Sequence, residues 1–337
     1  MRTSTKLMAI VTLAVLIAIG PATARGREMN VGYLPIYAFL NYFVAIEAGY
    51  FQAEGFTIKL HRFTTGGDMI VHLARGTIDA GGGAVAVSFF NGVADGLQVK
   101  AVGITGSRPK GFGASPILVR KALHDGGHVR SPADRRGRPV ALNAPRGTAE
   151  YLVARALGRS GLSIDDVRIV TLPFPEMPKA FERGAIDAGL LPDPFAASTL
   201  EQGTTVVLVK GDEIVDNPQN GLLYYGKNFL EDRSDVPVRF TAAIIRALRE
   251  INRQQYRGDE ILKALTKYTR VPPHVARKIT PYFLHPDNDV NLQSLMDFQA
   301  YYMQRRYLKY QAPLKAEQLF DGSFNRRAVE RLGPYRP

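Results

Sequence analysis

The chain has 337 residues, 45% of them hydrophobic, with no cysteine, no tryptophan and a formal net charge of +12. That length can supply two hydrophobic cores, while the missing cysteine excludes a disulfide framework and a lipid-anchored N-terminal Cys. The positive charges are scattered, and their densest run, residues 130–138, contains Pro, Asp and Gly and reads as a solvated turn, so no nucleic-acid partner is expected.

The first 24 residues have the three parts of a cleavable secretory signal. Arg2 and Lys6 precede a largely apolar run over residues 7–19, which ends at Ala22-Thr23-Ala24. The run is too short to hold a bilayer as an anchor. Cleavage near Ala24 is therefore expected, with the remainder, still basic, soluble in the periplasm.

Residues 29–33 read as a strand, followed by an apolar, aromatic loop over 34–39 and a helix over 41–50. Residues 56–63 alternate as a half-buried strand and end at Thr64-Thr65-Gly66-Gly67-Asp68, just before a helix over 69–75. Thr65 or Asp68 suits the N-cap, and the free N–H groups of such a terminus attract an anion. Next comes Arg75-Gly76-Thr77-Ile78-Asp79-Ala80-Gly81, a helix end with Gly at the left-handed position and then a short buried strand. Gly81 to Ala86 spells G-x-G-x-x-A, but no ribose-binding acid follows, so a dinucleotide is not expected; the glycines instead let backbone N–H groups approach a small ligand.

The flexible stretch over 105–113, containing Arg108, marks a crossover. Residues 140–142 then take the role of the first strand and lead into Asn143-Ala144-Pro145-Arg146-Gly147-Thr148 and a helix, with Arg146 beside the positive end of its dipole. A strand over 168–172 ends at Pro173-Phe174-Pro175-Glu176, and Arg183-Gly184-Ala185-Ile186-Asp187-Ala188-Gly189 then restates the earlier phrase. The match extends on both sides: residues 67–69 answer 175–177, and residues 96–102 answer 203–209. A repeat of this length is a duplicated lobe, and two lobes imply a cleft. Residues 221–228 nearly spell a phosphate loop, but Leu222-Leu223-Tyr224-Tyr225 reads as a strand crossing back. Helices are expected over 238–251, 260–268, 274–282 and 291–307. The scattered histidines suggest no metal site, and no motif of an activated nucleophile appears.

The strand-loop-helix order, both R-G-x-I-D-A-G phrases and the Pro192-Asp193-Pro194-Phe195 that follows resemble the periplasmic substrate-binding proteins of nitrate, sulfonate and taurine ABC importers, the SsuA/THI5-like (NMT1) group. The likeness is close over residues 29–225 and loose beyond. It implies an α/β, type II periplasmic-binding-protein fold: two similar lobes with mixed sheets, a two-segment hinge and a ligand cleft between them. Lobe 1 would hold residues 25–108 and 223–337, and lobe 2 residues 109–222. The implied function is capture of a small organic anion by lobe closure, as a monomer delivering it to a permease driven by a cytoplasmic ATPase, with no cofactor and no catalysis. Enzymes of the same two-lobed fold, and a periplasmic sensory module, are the alternatives.

The ligand contacts then expected are the loop and helix-start residues Thr65, Gly66, Gly83, Ala84, Asn143, Gly147 and Thr148. Arg146 and Arg108 are expected to hold the acid group, and Tyr33, Tyr37, Phe39, Phe174 and Tyr224 an apolar or aromatic body. The family commonly has P-E-P where this chain has Pro192-Asp193-Pro194, so Asp193 either meets a ligand amine or caps the next helix. Specificity is expected where the two lobes differ after the repeated phrase, at Gly82-Gly83-Ala84 and at Pro192-Asp193-Pro194.

Overall fold

Two five-stranded sheets of one pattern carry the fold in a computed structural model, which describes residues 26–336. The signal-like segment, residues 1–24, lies outside the described residues. In the first sheet the spatial order is β2 (Phe56–Arg62), β1 (Arg27–Tyr33), β3 (Ala80–Ala84), β10 (Gln219–Gly226) and β4 (Val99–Ser107). In the second it is β7 (Arg168–Thr171), β6 (Pro139–Leu142), β8 (Ala188–Leu190), β5 (Ile117–Arg120) and β9 (Thr205–Val209). Three strands of each sheet run parallel, and β10 or β5 runs antiparallel beside them.

The chain enters the second sheet through β5 and returns to the first through β10, and both hold the fourth position. Each sheet therefore receives as its antiparallel strand the one that has just crossed between lobes. Helices join the parallel strands, so the carboxyl ends of the strands open toward the same gap, the usual place for a ligand in such sheets.

The repeated phrase does the same work twice. Gly76 at φ 71° and Gly184 at φ 69° end the helices Met69–Arg75 and Met177–Glu182 in the left-handed conformation that a Cβ disfavours. Ile78 and Ile186 are then buried, and the N–H groups of Asp79 and Asp187 donate to the carbonyls of Asn30 and Pro139, drawing β3 and β8 against the first strand of each lobe.

Beyond β10, the helix Val236–Arg253 packs through Phe240 on Phe56 and Tyr225 of the first sheet, and Asp259–Thr269 packs on the helix Leu40–Glu47. The expected stripe of Phe240, Ala243, Ile244, Ala247, Leu248 and Ile251 is fully buried. The helix expected over 274–282 is shorter, Pro273–Ala276. Pro281 lacks an N–H and disfavours helix at the residue before it, and the Thr280 N–H donates instead to Asp193. The chain then runs extended through Phe283, which exchanges two backbone hydrogen bonds with Ser107 at the end of β4. This places Tyr282 in the cleft. Among the described residues no helix is long and apolar enough to cross a membrane.

Candidate functional site

Between the sheets lies a cavity of about 60 Å³, formed by the ends of β1, β3, β6 and β8 and the floor of β10. Leu34, Ile36, Phe39, Phe174 and Leu190 supply its apolar wall. Its polar groups are neutral: Thr105, Ser115, Asn143, Thr148, Asn220 and Tyr282. No charged side chain is among the residues that line it. The partial positive charge comes from backbone, because Thr148 and Ala149 open the eleven-residue helix Thr148–Gly158 directly against the space.

Gly66 and Gly83 meet backbone to backbone at one edge. A Cβ on Gly66 would stand 2.5 Å from the Gly83 Cα, so any side chain there would spread the two loops. On one side of the cavity, past Leu34, Ile36 and Phe174, is a vestibule of about 420 Å³ that also contains Phe63, Phe195, Arg62 and Glu176. On the other, past Gly66, Ala84, Asn143 and Thr148, is a chamber of about 380 Å³ that includes Thr65, Gly147 and Arg146.

Hydrogen bonds cross the gap. The Thr148 hydroxyl accepts from the Val85 N–H at 2.9 Å and donates to the Asn220 carbonyl at 3.0 Å, so one hydroxyl joins the helix of the second lobe to the loop after β3 and to β10 of the first sheet. The Val87 N–H donates to the Arg146 carbonyl, and the Tyr37 N–H to the Asp193 carbonyl. At the surface, Arg305 holds Asp165 through two contacts of 2.6 and 2.7 Å; in the interior, the buried Tyr151 ring lies 4.1 Å from that of Phe298.

Of the residues expected from the sequence, the structure brings Phe39, Gly66, Gly83, Ala84, Asn143, Thr148 and Phe174 to the cavity. Thr65, Gly147 and Arg146 line only the adjoining chamber. The Arg146 guanidinium is exposed and stacks 4.8 Å from the centre of the Tyr307 ring, while its backbone N–H donates to Glu150. Tyr33 packs edge-on against Phe39 and Phe43, one layer behind the wall. Tyr37 is buried beside Tyr282, with its hydroxyl unpartnered. Tyr224 is fully buried, packs on Phe89 and donates to the Ala84 carbonyl, so it props the cavity wall; β10 presents Asn220 and Gly221 to the cavity instead.

Asp193 points away from the cavity. One carboxylate oxygen accepts from the Ala197 N–H at 2.9 Å, capping the helix Phe195–Glu201, and the other from the Thr280 N–H at 3.1 Å. Burial pushes its pKa up to about 7 against the pull of those two donors and the Arg257 charge. Arg108 also stands outside the lining, fully buried where the chain crosses, and burial lowers its pKa to about 10.

A model of the family described as NMT1-like matches residues 22–265 of the chain. The chain belongs to the NMT1-like family. One curated relative, a putative aliphatic sulfonates-binding protein of Escherichia coli (strain K12), is 30% identical over 153 residues, which span 45% of this chain and 45% of that protein. Among solved structures, the alkanesulfonate-binding protein SsuA of Xanthomonas axonopodis pv. citri, bound to MOPS, superposes with a TM-score of 0.71 at 21% identity, covering 88% of this chain and 99% of its own. The periplasmic nitrate-binding protein NrtA of Synechocystis PCC 6803 gives 0.77 at 12% identity, covering 91% and 89%. A desulfurization enzyme, DSZB, shares the fold at 0.61 and 16%, covering 91% and 100%. These likenesses establish the two-lobed α/β fold.

In this NMT1-like chain the sequence reading missed Thr105, Ser115, Asn220 and Tyr282. Thr105 and Asn220 sit on the paired crossing strands β4 and β10, where a hydrophobic pattern shows a strand but not which residue meets the gap. Ser115 and Tyr282 are 167 residues apart and become neighbours only in the folded chain, where their hydroxyls hydrogen-bond.

Proposed function

We propose that this chain is the extracytoplasmic solute-binding component of an ABC importer and closes its two lobes on a small organic anion, a sulfonate or carboxylate. The observation that carries this reading is the cavity between the sheets, where neutral hydroxyls and amides converge on the first turn of the helix Thr148–Gly158. N–H groups and hydroxyls at a helix terminus suit an anion that is to be bound and then released. The acid group sits against Thr148, Ala149, Asn143 and Asn220. Phe39 and Phe174 flank an apolar body, which extends past Leu34 and Ile36 into the vestibule.

The names of the relatives support the same class of ligand, and their periplasmic setting supports export of this chain with cleavage near Ala24. Because β10 pairs along its length within the first sheet, the lobes divide as 25–108 with 219–337 and 109–218, not at 222/223, and the monomer delivers its ligand to a permease with a cytoplasmic ATPase. Binding without conversion is favoured because no imidazole or carboxylate lines the cavity beside Ser115.

Titration calorimetry of the protein lacking residues 1–24, against a panel of alkanesulfonates, aromatic carboxylates, taurine and nitrate, tests this reading. One or a few compounds should bind with micromolar or better affinity and be recovered unchanged after prolonged incubation. Silence across the panel, or recovery of a converted product, would overturn it.

A further inference from the structure

No cation is among the described residues that line the cavity, yet a buried arginine lies beside two residues that do. Arg108 follows the last residue of β4, and its N–H donates to the Pro218 carbonyl just before β10, so it occupies the point where both crossing segments meet. The side chain is completely buried. One guanidinium nitrogen reaches the Ala114 carbonyl at 3.5 Å, a marginal distance, and its Nε and second Nη are without a partner. The Asp212 charge acts on it without an ion pair; one Asp212 oxygen accepts from the Gly111 N–H, and the other is buried with no partner among the described residues.

The antiparallel Ser107–Phe283 bridge sets Arg108 opposite Tyr282, and the carbonyl its guanidinium reaches, that of Ala114, precedes Ser115; Ser115 and Tyr282 hydrogen-bond to each other and both line the cavity. The arginine charge acts on the Tyr282 hydroxyl, favouring its anionic form against the effect of burial. One of the two hydroxyl protons lies between the oxygens; a fixed positive charge beside the pair turns the other toward negative charge on the cavity side, and in a water-poor interior that effect is much larger than in solution.

We infer that Arg108 is the residue that makes the cavity prefer an anion over a neutral isostere, acting through the Ser115–Tyr282 hydroxyl pair and not by direct contact. It is a positioning residue, and the inference rests on the solute-binding reading above. Because Arg108 lies at the crossing, the same charge is held by both segments that must flex when the lobes part. A buried cation with open donors is costly in an empty protein, and an anion at the cavity compensates it.

The test compares charged and neutral probes of one shape: methanesulfonate with methanesulfonamide, and benzoate with benzamide, by titration calorimetry on the wild-type chain and on Arg108→Lys, Arg108→Met and Tyr282→Phe. The wild type should prefer the anion of at least one pair by tenfold or more. Arg108→Lys should keep that preference, and Arg108→Met should lose it while binding the neutral probe as well as before. A merely structural role would weaken both members of a pair alike, and that result would overturn the inference. Tyr282→Phe leaves Arg108 in place and should reduce the preference several-fold; an unchanged preference there would overturn it even if Arg108→Met does not fold. A wild type that binds anion and isostere equally removes the inference and leaves the solute-binding reading standing. Failure to bind any of these probes or any member of the wider panel removes both.

Discussion

Asp79 and Asp187 hold the same place in the two lobes, and the protein satisfies them by different chemistry. Both follow a left-handed glycine and a buried isoleucine, and both use their backbone N–H to join the third parallel strand to the first. The Asp79 carboxylate accepts from neutral donors, the Asn30 N–H at 2.7 Å and the Asn228 amide at 2.7 Å. Asp187 instead faces two guanidinium groups, accepting from Arg120 at 2.8 Å and from Arg138 at 3.2 Å, with the buried Arg135 also nearby. A duplicated backbone thus preserves the geometry of a buried acceptor and leaves the donor free to change. What the backbone requires is two filled lone pairs, not a particular partner.

This contrast predicts unequal costs for equal substitutions. Asp187→Ala removes the counter-charge of the half-buried Arg120 and Arg138 and of the buried Arg135 nearby, and should cost about 3 kcal/mol. Asp79→Ala leaves one N–H and one amide unpaired and should cost about 1–3 kcal/mol. Urea unfolding of both variants measures the difference, and a larger loss from Asp79→Ala would break the comparison.

A second asymmetry follows the phrase. The first lobe continues into Gly82-Gly83-Ala84, with nothing to titrate, and the second into Asp193, whose pKa burial has raised to about 7. The folded state therefore holds a proton that the unfolded chain has already released. Asp193 then contributes stability that is fully present below about pH 4 and lost as pH rises toward 7, by at most about 1.4 kcal/mol per pH unit. Asp193→Asn should flatten the stability profile over that window relative to wild type, and parallel profiles would show that Asp193 titrates normally.

The smallest expected effect concerns the twin glycines. Gly184→Ala meets only the Arg120 guanidinium at 3.3 Å, a contact relieved by a shift of a few tenths of an ångström, and should cost about 1 kcal/mol for its positive φ. Gly76→Ala would also place its Cβ 2.4 Å from Asn228 Oδ1, a side chain already fixed by Gly76 O and Asp79, and should melt at a lower temperature than Gly184→Ala.

Most elements were legible because each leaves a local mark. The helix expected over 69–75 is observed as Met69–Arg75, and the strands begin and end within a few residues of their expected positions. The site was less legible. Gly83, Ala84, Asn143 and Thr148 could be named because they close strands or open helices, and such positions face the gap in any sheet of this type. Tyr224 lies beyond Asn220 and Gly221, the residues of β10 that line the cavity, since an apolar run gives the strand and not the point at which it passes under the cavity. The sequence offered Arg146, beside a helix start, as the first anion partner and Arg108 as a second. Tertiary packing separates them, leaving Arg146 on Tyr307 at the surface and Arg108 buried beside Ser115 and Tyr282.

The sequence by itself determined the duplication, the lobes, and the strand ends that meet at the cleft, because turn glycines, capped helices and buried strands are written over a few consecutive residues. The tertiary structure alone decided which side chains close the cavity and how its charge is supplied. Ser115 and Tyr282 touch across 167 residues, Thr148 reaches Val85 and Asn220, and Asp193 turns from the cleft to Thr280. Such contacts depend on the relative placement of whole elements, which the packing of both lobes sets and no local pattern encodes.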